Sequence, residues 1–239
     1  MTYILNIETA TKNCSVALSA NGEIVALRED IDKGYNHAAL LTVLIDELMK
    51  SQKLDYDKLS AVCVNKGPGS YTGLRIGVSA AKGICFAKDI PLIGVDSLYS
   101  LAQQCLDTRL DIINSKVKDG LFYLCPMIDA RRMEVYSAVY DEKLKLIEPI
   151  NAVIVENDSF KKRIEERPFF IFGDGAEKCV DSLKHSNLFF IPEIMGSARG
   201  MIKEAYNKYL SGEFENLAYF EPFYLKDFVA GKPSVKGLQ

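Results

Sequence analysis

The order of the predicted elements repeats once along the chain, and this repeat restricts the fold more than any other feature of the sequence. The first half begins with three strand-like runs, Tyr3–Glu8, Cys14–Ala20 and Glu23–Asp30. Asn21-Gly22 lies between the last two, and an Asn-Gly step between β-rich runs predicts a hairpin. Helices are then predicted over 36–50, 71–87 and 96–105, with Asp96 or Ser97 as cap, and strands over 60–65 and 91–95.

The second half follows the same plan. Its pattern predicts strands over 120–129, 133–140, 143–148, 169–172 and 188–191, and helices over 158–166, 176–185 and 198–210. Two successive copies of three strands followed by alternating helices and strands predict a duplicated α/β fold. The polar stretch 107–118 predicts a boundary, which gives an N-terminal lobe over 1–106, a C-terminal lobe over 107–212 and a C-terminal segment over 213–239. Residues 230–237 are rich in Gly, Pro and Lys and are expected to be loose.

The charge balance limits the classes of function. The 239 residues carry 29 Lys and Arg against 32 Asp and Glu, a formal net charge of −3, which argues against a dedicated DNA-binding module. The sequence has no apolar run of membrane-spanning length and no basic start followed by an apolar run, so neither a membrane helix nor export is expected. Six widely spaced cysteines predict reduced, buried thiols in a cytoplasmic protein.

The turn between the first two strands is rich in hydroxyl groups, and residues 8–15 read Glu-Thr-Ala-Thr-Lys-Asn-Cys-Ser. In duplicated α/β folds that bind ATP, a turn at this position wraps the phosphates. Such turns usually contain glycine, which lets the backbone approach a phosphate closely, but neither this turn nor its counterpart at 129–132 has one. Nucleotide binding and a Thr-capped β-turn both remain open.

The run Gly67-Pro68-Gly69-Ser70-Tyr71-Thr72-Gly73-Leu74-Arg75-Ile76-Gly77 lies between a predicted strand and a predicted helix. It is not a Walker A loop, a G-x-G-x-x-G fingerprint or a G-x-S-x-G nucleophile elbow. Gly73 and Gly77, continued by small residues at helical spacing, predict a flat helix face for close approach of another helix. Residues 71–87 carry only two charges, Arg75 and Lys82, so a further covering surface is expected. On this interpretation Gly77→Arg blocks association and leaves the fold intact.

The predicted helix over 36–50 carries apolar residues around half of its circumference, which again indicates a partner surface. His37 is its only candidate metal ligand. Because its i+4 neighbour is Leu41, the helix lacks the second ligand that a zinc or iron site needs, and His37 is predicted to be a cap or surface residue. His185 is expected to end a helix as a favourable C-terminal charge or a plain surface residue.

Four stretches together resemble the TsaB (YeaZ) family, the dimerisation subunits of the bacterial complex that makes N6-threonylcarbamoyladenosine next to the anticodon of tRNAs. They are 8–18, the glycine-rich run 67–77, Asp129-Ala130-Arg131-Arg132-Met133-Glu134-Val135-Tyr136 and Glu221-Pro222-Phe223-Tyr224-Leu225-Lys226. The resemblance covers nearly the whole chain in order and is weakest over 151–196.

The resemblance implies a two-lobed fold of the actin/Hsp70/sugar-kinase (ASKHA) type. It also implies a non-catalytic scaffold with no cofactor or metal, which activates a TsaD-like transferase by heterodimerisation. A TsaE-like ATPase is expected in the complex, with tRNA contacted only through the complex and a homodimer formed when the subunit is alone. In such families the dimer forms through the first two helices. Carried over by position, the interface residues are Leu41, Leu44, Ile45, Leu48, Thr72, Arg75, Ile76, Gly77 and Ser79.

Two enzyme classes stand as alternatives. A sugar-kinase-like ATPase would use Glu8 or Asp129 on a magnesium ion and Gly173-Asp174-Gly175 near the adenosine. A metallopeptidase, the glycoprotease function historically attached to the superfamily, would need a metal site. The sequence offers few ligands for one.

Overall fold

Two five-stranded sheets organise the residues that the computed structural model describes, which are 1–31 and 36–226. The strands of the first sheet are β1 (Tyr3–Glu8), β2 (Cys14–Ala20), β3 (Glu23–Asp30), β4 (Leu59–Asn65) and β5 (Leu92–Val95). The helices of this half are α1 (His37–Ser51), α2 (Tyr71–Lys88) and α3 (Ser97–Asn114).

The second half contains the strands β6 (Tyr123–Asp129), β7 (Glu134–Asp141), β8 (Leu146–Ile154), β9 (Phe169–Phe172) and β10 (Leu188–Phe190). Its helices are α4 (Lys161–Glu166) and α5 (Ile202–Ser211). Three short 3-10 turns, Tyr56–Lys58, Glu177–Cys179 and Ala198–Met201, complete the described elements.

Both sheets have the same strand order. The first is ordered β3-β2-β1-β4-β5, and the second, read in the same sense, β8-β7-β6-β9-β10. In each, the first three strands pair antiparallel and the last two join in parallel. The duplication read from the sequence is confirmed, and with it the two-lobed α/β fold of the ASKHA type.

The two halves exchange helices. Leu98, Leu101 and Cys105 of α3 pack against Phe170 and Phe172 of the second sheet. In return, Ile202 and Ala205 of α5 pack on the first sheet against Ile4, Cys63 and Ile93. The other face of the first sheet is covered by α1 and α2. Apolar burial therefore ties each lobe to a helix from the other half of the sequence.

Two predicted helices differ from the structure. The third helix was expected to end near residue 105 but runs to Asn114, with a kink at Arg109, and it brings Ile113 into the core. The helix predicted over 176–185 is wrong, because only Glu177–Cys179 forms a 3-10 turn. Backbone bonds from Cys179 N–H to the Ala176 carbonyl and from Ser182 N–H to the Cys179 carbonyl close successive short turns there. Those turns bury apolar residues at a spacing that resembles a helix.

The boundary predicted between residues 106 and 107 falls inside α3, and the proposed division into lobes and C-terminal segment stays a prediction. The segment expected to be loose, 230–237, lies outside the described residues. Asn21 and Gly22 both have positive φ, at 49° and 83°, as the two-residue hairpin turn requires. All six cysteines are free and buried, as expected. None of the described helices is long and apolar enough to cross a membrane.

Gly200 tests the contact between α3 and the 3-10 turn Ala198–Met201, which leads into α5. A Cβ at this position would lie 2.2 Å from the backbone carbonyl oxygen of Ser100 in α3, whereas one at Gly83 in α2 would meet nothing within 4 Å. We expect Gly200→Ala to lower the free energy of unfolding by about 1–3 kcal/mol, the usual cost of overpacking. The control Gly83→Ala should keep it or raise it by up to about 1 kcal/mol through helix propensity. Urea denaturation measures both, and equal stabilities would contradict the tight packing.

Candidate functional site

A buried carboxyl group organises the turn between β1 and β2. Glu8 is only 1% exposed, and its Oε1 accepts a hydrogen bond from the Ala10 N–H at 2.6 Å. Its Oε2 accepts from the side-chain amide of Asn65, at the end of β4. The Asn65 oxygen in turn accepts from the Gly67 N–H at 3.0 Å and from the Ser97 hydroxyl. One chain of hydrogen bonds thus joins the ends of β1 and β4 to the start of α3.

The environment of Glu8 favours its protonated form. Burial raises the pKa of Glu8 to about 7, and the negative charge of Asp174 adds to the increase. The hydrogen bonds from Ala10, Asn65 and Thr11 act in the opposite direction, because they stabilise the carboxylate. Desolvation is the largest of these effects, so the group changes charge near neutral pH.

The hydroxyl groups of the turn do not cap it. Among the described residues, the buried side-chain oxygens of Thr9 and Thr11 have no hydrogen-bond partner. The prediction of a turn capped by a threonine hydroxyl is therefore wrong, because the group that accepts the Ala10 N–H is the Glu8 carboxyl. A threonine hydroxyl is less able to compete for that N–H than a carboxylate, which makes the stronger hydrogen bond.

The glycine-rich run packs directly on this turn. The Ala10 carbonyl accepts from the Ser70 N–H at 2.7 Å. A Cβ at Gly69 would lie 2.5 Å from the Ala10 carbonyl oxygen, and one at Gly73 only 2.0 Å from the Thr9 carbonyl oxygen. The glycines admit the backbone of the β1–β2 turn, so their lack of a side chain serves packing within the chain.

Gly77 also faces the turn. It is buried, and a Cβ there would lie 2.3 Å from the Thr9 hydroxyl oxygen. The interpretation of Gly73 and Gly77 as a flat face for another helix is corrected, because the covering surface is the β1–β2 turn. An arginine at position 77 has no space, and the expectation that Gly77→Arg leaves the fold intact is withdrawn.

The charged residues at the end of β6, the counterpart of β1 in the second half, are also paired. The Asp129 carboxylate accepts from the Lys178 ammonium group, and Asp174 Oδ1 accepts from the Asp129 N–H at 3.1 Å. Gly173 and Gly175 lie against the β6 backbone, where Cβ atoms would approach Met127 and Ile128 within 3.0 Å. The carboxylate and the glycines that the ATPase alternative would use therefore make internal contacts. In residues 1–31 and 36–226 no group of three or more His, Cys, Asp and Glu side chains could hold a metal ion.

His37 is placed differently from the expectation, whereas His185 is a surface residue, which was one of the two alternatives. His37 is buried rather than a surface residue, and its Nε2 lies 2.8 Å from the Thr11 carbonyl oxygen, so it packs against the β1–β2 turn. His185 ends no helix, because the predicted helix does not form, and its Nδ1 accepts from the Asn187 N–H at 3.1 Å.

The candidate interface residues of α1 lie inside the fold. Leu41, Leu44, Ile45 and Leu48 all belong to the core between α1, α2 and the first sheet. The apolar excess inferred for this helix is thus mostly covered by the chain itself, because α2 and β2 pack on two sides of it. Val43 is the exposed large apolar residue of α1, with 48% of its surface accessible.

The candidates on α2 are more accessible. Thr72, Arg75 and Ser79 are exposed and Ile76 is half-buried. Beside them a groove of about 340 Å³ runs between α1 and α2, and we call it the α1/α2 groove. Its lining consists of Thr42, Ile45, Tyr56, Ser79, Ala80, Gly83 and Ile84. Of the predicted interface residues, the structure brings Ile45 and Ser79 together in this groove.

Several residues of this surface were missed from the sequence. Gly83 follows Ser79 by one helical turn, and this spacing could have identified it. Phe86, which is 83% exposed near the end of α2, could have been found because it follows Ser79 by seven residues. Thr42 and Tyr56 have no local signal, because they reach the groove only through the packing of α1 and of the turn before β4.

The C-terminal segment covers the other flank of α2. Lys82 donates to the carbonyl groups of Ala218 and Phe220, both at 3.2 Å. The rings of Tyr71 and Tyr224 lie 4.6 Å apart, and the Arg75 guanidinium lies 5.1 Å from the Tyr71 ring centre. The further covering surface expected for α2 is therefore supplied in part by this segment, which leaves the face along Thr72, Ser79 and Gly83 open.

Comparisons with known proteins agree with this architecture. The chain is 28% identical over 236 residues to the tRNA threonylcarbamoyladenosine biosynthesis protein TsaB of Escherichia coli (strain K12), with 96% of each chain covered. The structure titled YeaZ from Pseudomonas aeruginosa superposes with a TM-score of 0.78, covering 94% of this chain and 100% of that one at 23% identity. A stretch of 109 residues is 36% identical to the tRNA N6-adenosine threonylcarbamoyltransferase of Bacillus thuringiensis (strain Al Hakam), covering 39% of this chain and 32% of the relative.

The two sheets of equal strand order define a two-lobed α/β protein of the ASKHA type. The family model for TsaD, tRNA N6-adenosine threonylcarbamoyltransferase, matches residues 33–165, which is more than half of the chain. The chain therefore belongs to the TsaD-type family. Along nearly its whole length it is similar to TsaB (YeaZ) proteins.

The raised pKa of Glu8 predicts a stability that falls as the pH rises. The folded protein holds a proton on this carboxyl between pH 4.5 and about 7, where the unfolded chain has lost it. The stabilisation is complete below pH 4.5 and is lost as the pH rises through about 7. At about 1.4 kcal/mol per pKa unit, the change is on the order of 3 kcal/mol.

Glu8→Gln should remove this pH-dependent part, because the amide does not titrate. Urea denaturation below pH 4.5 and above pH 7 measures the difference between wild type and variant at each pH. Glu156→Gln, at an exposed glutamate, serves as the control and should leave the pH profile unchanged. A wild-type profile parallel to that of Glu8→Gln would contradict the raised pKa.

Proposed function

We propose that this chain is a non-catalytic subunit that pairs with a TsaD-like transferase and activates it for N6-threonylcarbamoyladenosine formation on tRNA. The observation that carries the proposal is the match of residues 33–165, which include both α1 and α2, to the family model of the transferase itself. A TsaD-like protein is therefore expected to contain a related pair of helices.

Two related helix pairs can associate face to face. In an isologous contact the same patch is used on both partners, related by a two-fold axis. When the two chains are related but different, the two-fold axis is only approximate. The same contact between two copies of this chain would give a homodimer with an exact two-fold axis. We accordingly propose the α1/α2 groove and its rim as the surface that meets the transferase, and as the homodimer surface when the chain is alone.

The chemistry of this surface suits a protein partner. The groove is lined mainly by small and apolar side chains, while Val43 and Phe86 present exposed apolar surface on the two helices. Thr42 and Ser79 add hydroxyl groups to the lining. Apolar and aromatic centres with polar rims are typical of protein interfaces, in which a few large side chains contribute most of the binding energy. The buried Leu41, Leu44 and Leu48 would act indirectly, by holding α1 in place.

We also propose that this chain has no catalytic role of its own. Glu8 and Asp129, the carboxyls that a phosphoryl-transfer site would use, are bonded to Asn65 and Lys178. We further propose that a TsaE-like ATPase joins the complex and that tRNA is contacted only through it, in keeping with the net charge of −3. Six free thiols fit the reducing cytoplasm.

The groove can be blocked at Gly83 without disturbing the fold. Its Cβ would meet nothing within 4 Å, and arginine is a better helix former than glycine. We expect Gly83→Arg to weaken association with the TsaD-like transferase by at least about tenfold in Kd. Biolayer interferometry measures the Kd, and light scattering measures the homodimer.

Asn114→Arg provides the matched control, because Asn114 is exposed at the end of α3. This variant should bind as the wild type does, and circular dichroism should report both variants as folded. Wild-type affinity of a folded Gly83→Arg variant would exclude the α1/α2 groove as the interface.

The role in tRNA modification is tested separately by reconstitution. Purified TsaD-like transferase, TsaE-like ATPase, an unmodified tRNA and the small substrates are incubated with and without this chain. We expect modified adenosine, measured by mass spectrometry of tRNA digests, only in its presence. Equal modification without the chain would contradict the activating role, even if the two proteins associate.

A further inference from the structure

A second cavity lies where the two lobes meet, and no part of the proposed function uses it. It has a volume of about 230 Å³ and is lined by residues from both halves of the chain. Lys66 and Asp96 follow β4 and β5 of the first sheet. Tyr140 is the last residue but one of β7 in the second sheet, and Lys208 lies in α5. We call it the lobe-junction pocket. It shares no lining residue with the α1/α2 groove.

The walls of the pocket are aromatic and aliphatic. The rings of Tyr99 and Tyr140 meet edge to face, with their centres 6.1 Å apart. Leu144 and Ile150, from the turn after β7 and from β8, add aliphatic surface. Such walls favour the apolar part of a ligand. Pockets for drug-sized ligands usually have volumes of about 300–1,000 Å³, so this smaller pocket suits a smaller molecule.

One hydroxyl group at the pocket lacks a partner. Tyr140 is only 3% exposed, and its hydroxyl makes no hydrogen bond to any part of the chain that the structure describes. The neighbouring Tyr99 differs, because its hydroxyl has the Glu204 carboxylate close by, which together with burial raises its pKa. Tyrosine hydroxyls usually have partners. The Tyr140 oxygen is not fully enclosed by the chain, so an acceptor atom of a molecule bound in the pocket can reach it and accept its proton in a hydrogen bond.

The ammonium groups at the pocket also have unused capacity. Across residues 1–31 and 36–226, the Lys66 side chain has no hydrogen bond and no ion pair within 4 Å. Lys208 donates one hydrogen bond, to the Gly94 carbonyl at 3.0 Å, which leaves two protons. In contrast, Asp96 Oδ1 already accepts from the Leu98 and Tyr99 N–H groups at the start of α3.

The groups at the pocket with hydrogen-bonding capacity left are therefore mainly hydrogen-bond donors, namely the Tyr140 hydroxyl and the ammonium groups of Lys66 and Lys208. Two ammonium groups balance the carboxylates of Asp96 and Glu204, so an anion meets no net repulsion at this site. A carboxylate could accept from the Tyr140 hydroxyl and from Lys66, while a short apolar chain contacts Leu144 and Ile150. A ligand ammonium group, if present, could be accepted by Asp96 or Glu204.

We propose that the lobe-junction pocket binds a small organic carboxylate with a short aliphatic body. A free α-amino acid and a simple aliphatic acid both offer this chemistry. They differ in the ammonium group, and the two carboxylates of the pocket give the amino acid a place for it. The proposal concerns only this pocket and does not depend on the association surface.

Calorimetry and two-dimensional NMR on the full chain, at millimolar probe concentrations, test the proposal. The probes are L-leucine, 4-methylpentanoate and 4-methylpentanamide. We expect the carboxylates to bind and to shift signals of residues at the pocket, and the amide to bind at least about tenfold more weakly, since one charge-assisted hydrogen bond contributes about 1.5–3 kcal/mol. Tighter binding of L-leucine would identify an amino-acid site, and tighter binding of 4-methylpentanoate an aliphatic-acid site.

Two variants locate the site. Tyr140→Phe removes only the hydroxyl and Lys66→Met only the charge, and each should weaken carboxylate binding several-fold while keeping the melting temperature near that of the wild type. Tyr219→Phe and Lys184→Met, at exposed positions, serve as matched controls and should bind normally. The proposal would be overturned if neither carboxylate bound, or if the amide bound as tightly as the carboxylates. It would also be overturned if Tyr140→Phe and a folded Lys66→Met both bound the carboxylates as the wild type does.

Discussion

The close packing of the glycine-rich start of α2 on the β1–β2 turn is the contact on which the rest of the structure depends. Gly69, Gly73 and Gly77 have no side chain, so the turn can lie against the helix. The Glu8 carboxyl beside this contact is buried, and its hydrogen bonds reach Asn65 and through it the start of α3. Three elements of the first lobe, and the helix that leads into the second, are positioned by one compact polar network.

The same packing fills the space beside the β1–β2 turn, because α2 lies directly against it. In the matching turn of the second half, the ammonium group of Lys178 neutralises Asp129. Both turns are thus stabilised by contacts within the chain. The surfaces left for other molecules are the α1/α2 groove on the outside of the first lobe and the lobe-junction pocket.

Local patterns were reliable where one short segment decides the structure. The hairpin at Asn21-Gly22 follows from the positive φ that these two residues tolerate, and the order of strands follows from their periodicity. The interface residues were harder to predict, because half of the surface of α1 is apolar. The sequence does not tell which part of that surface is covered by the rest of the same chain. Leu41 and Leu48 are core residues, whereas Gly83 and Phe86 on α2 are accessible.

The sequence by itself determined the repeated element order, the buried thiols, the near-neutral charge and the family, since each depends on composition or on short patterns. Only the tertiary structure decided what each glycine approaches, that α3 and α5 are exchanged between the lobes, and that Tyr140, Lys66 and Lys208 meet at one pocket. The physical reason is that contacts between distant segments depend on how whole elements pack. Side chains far apart in sequence carry no local signal of the neighbour they will meet.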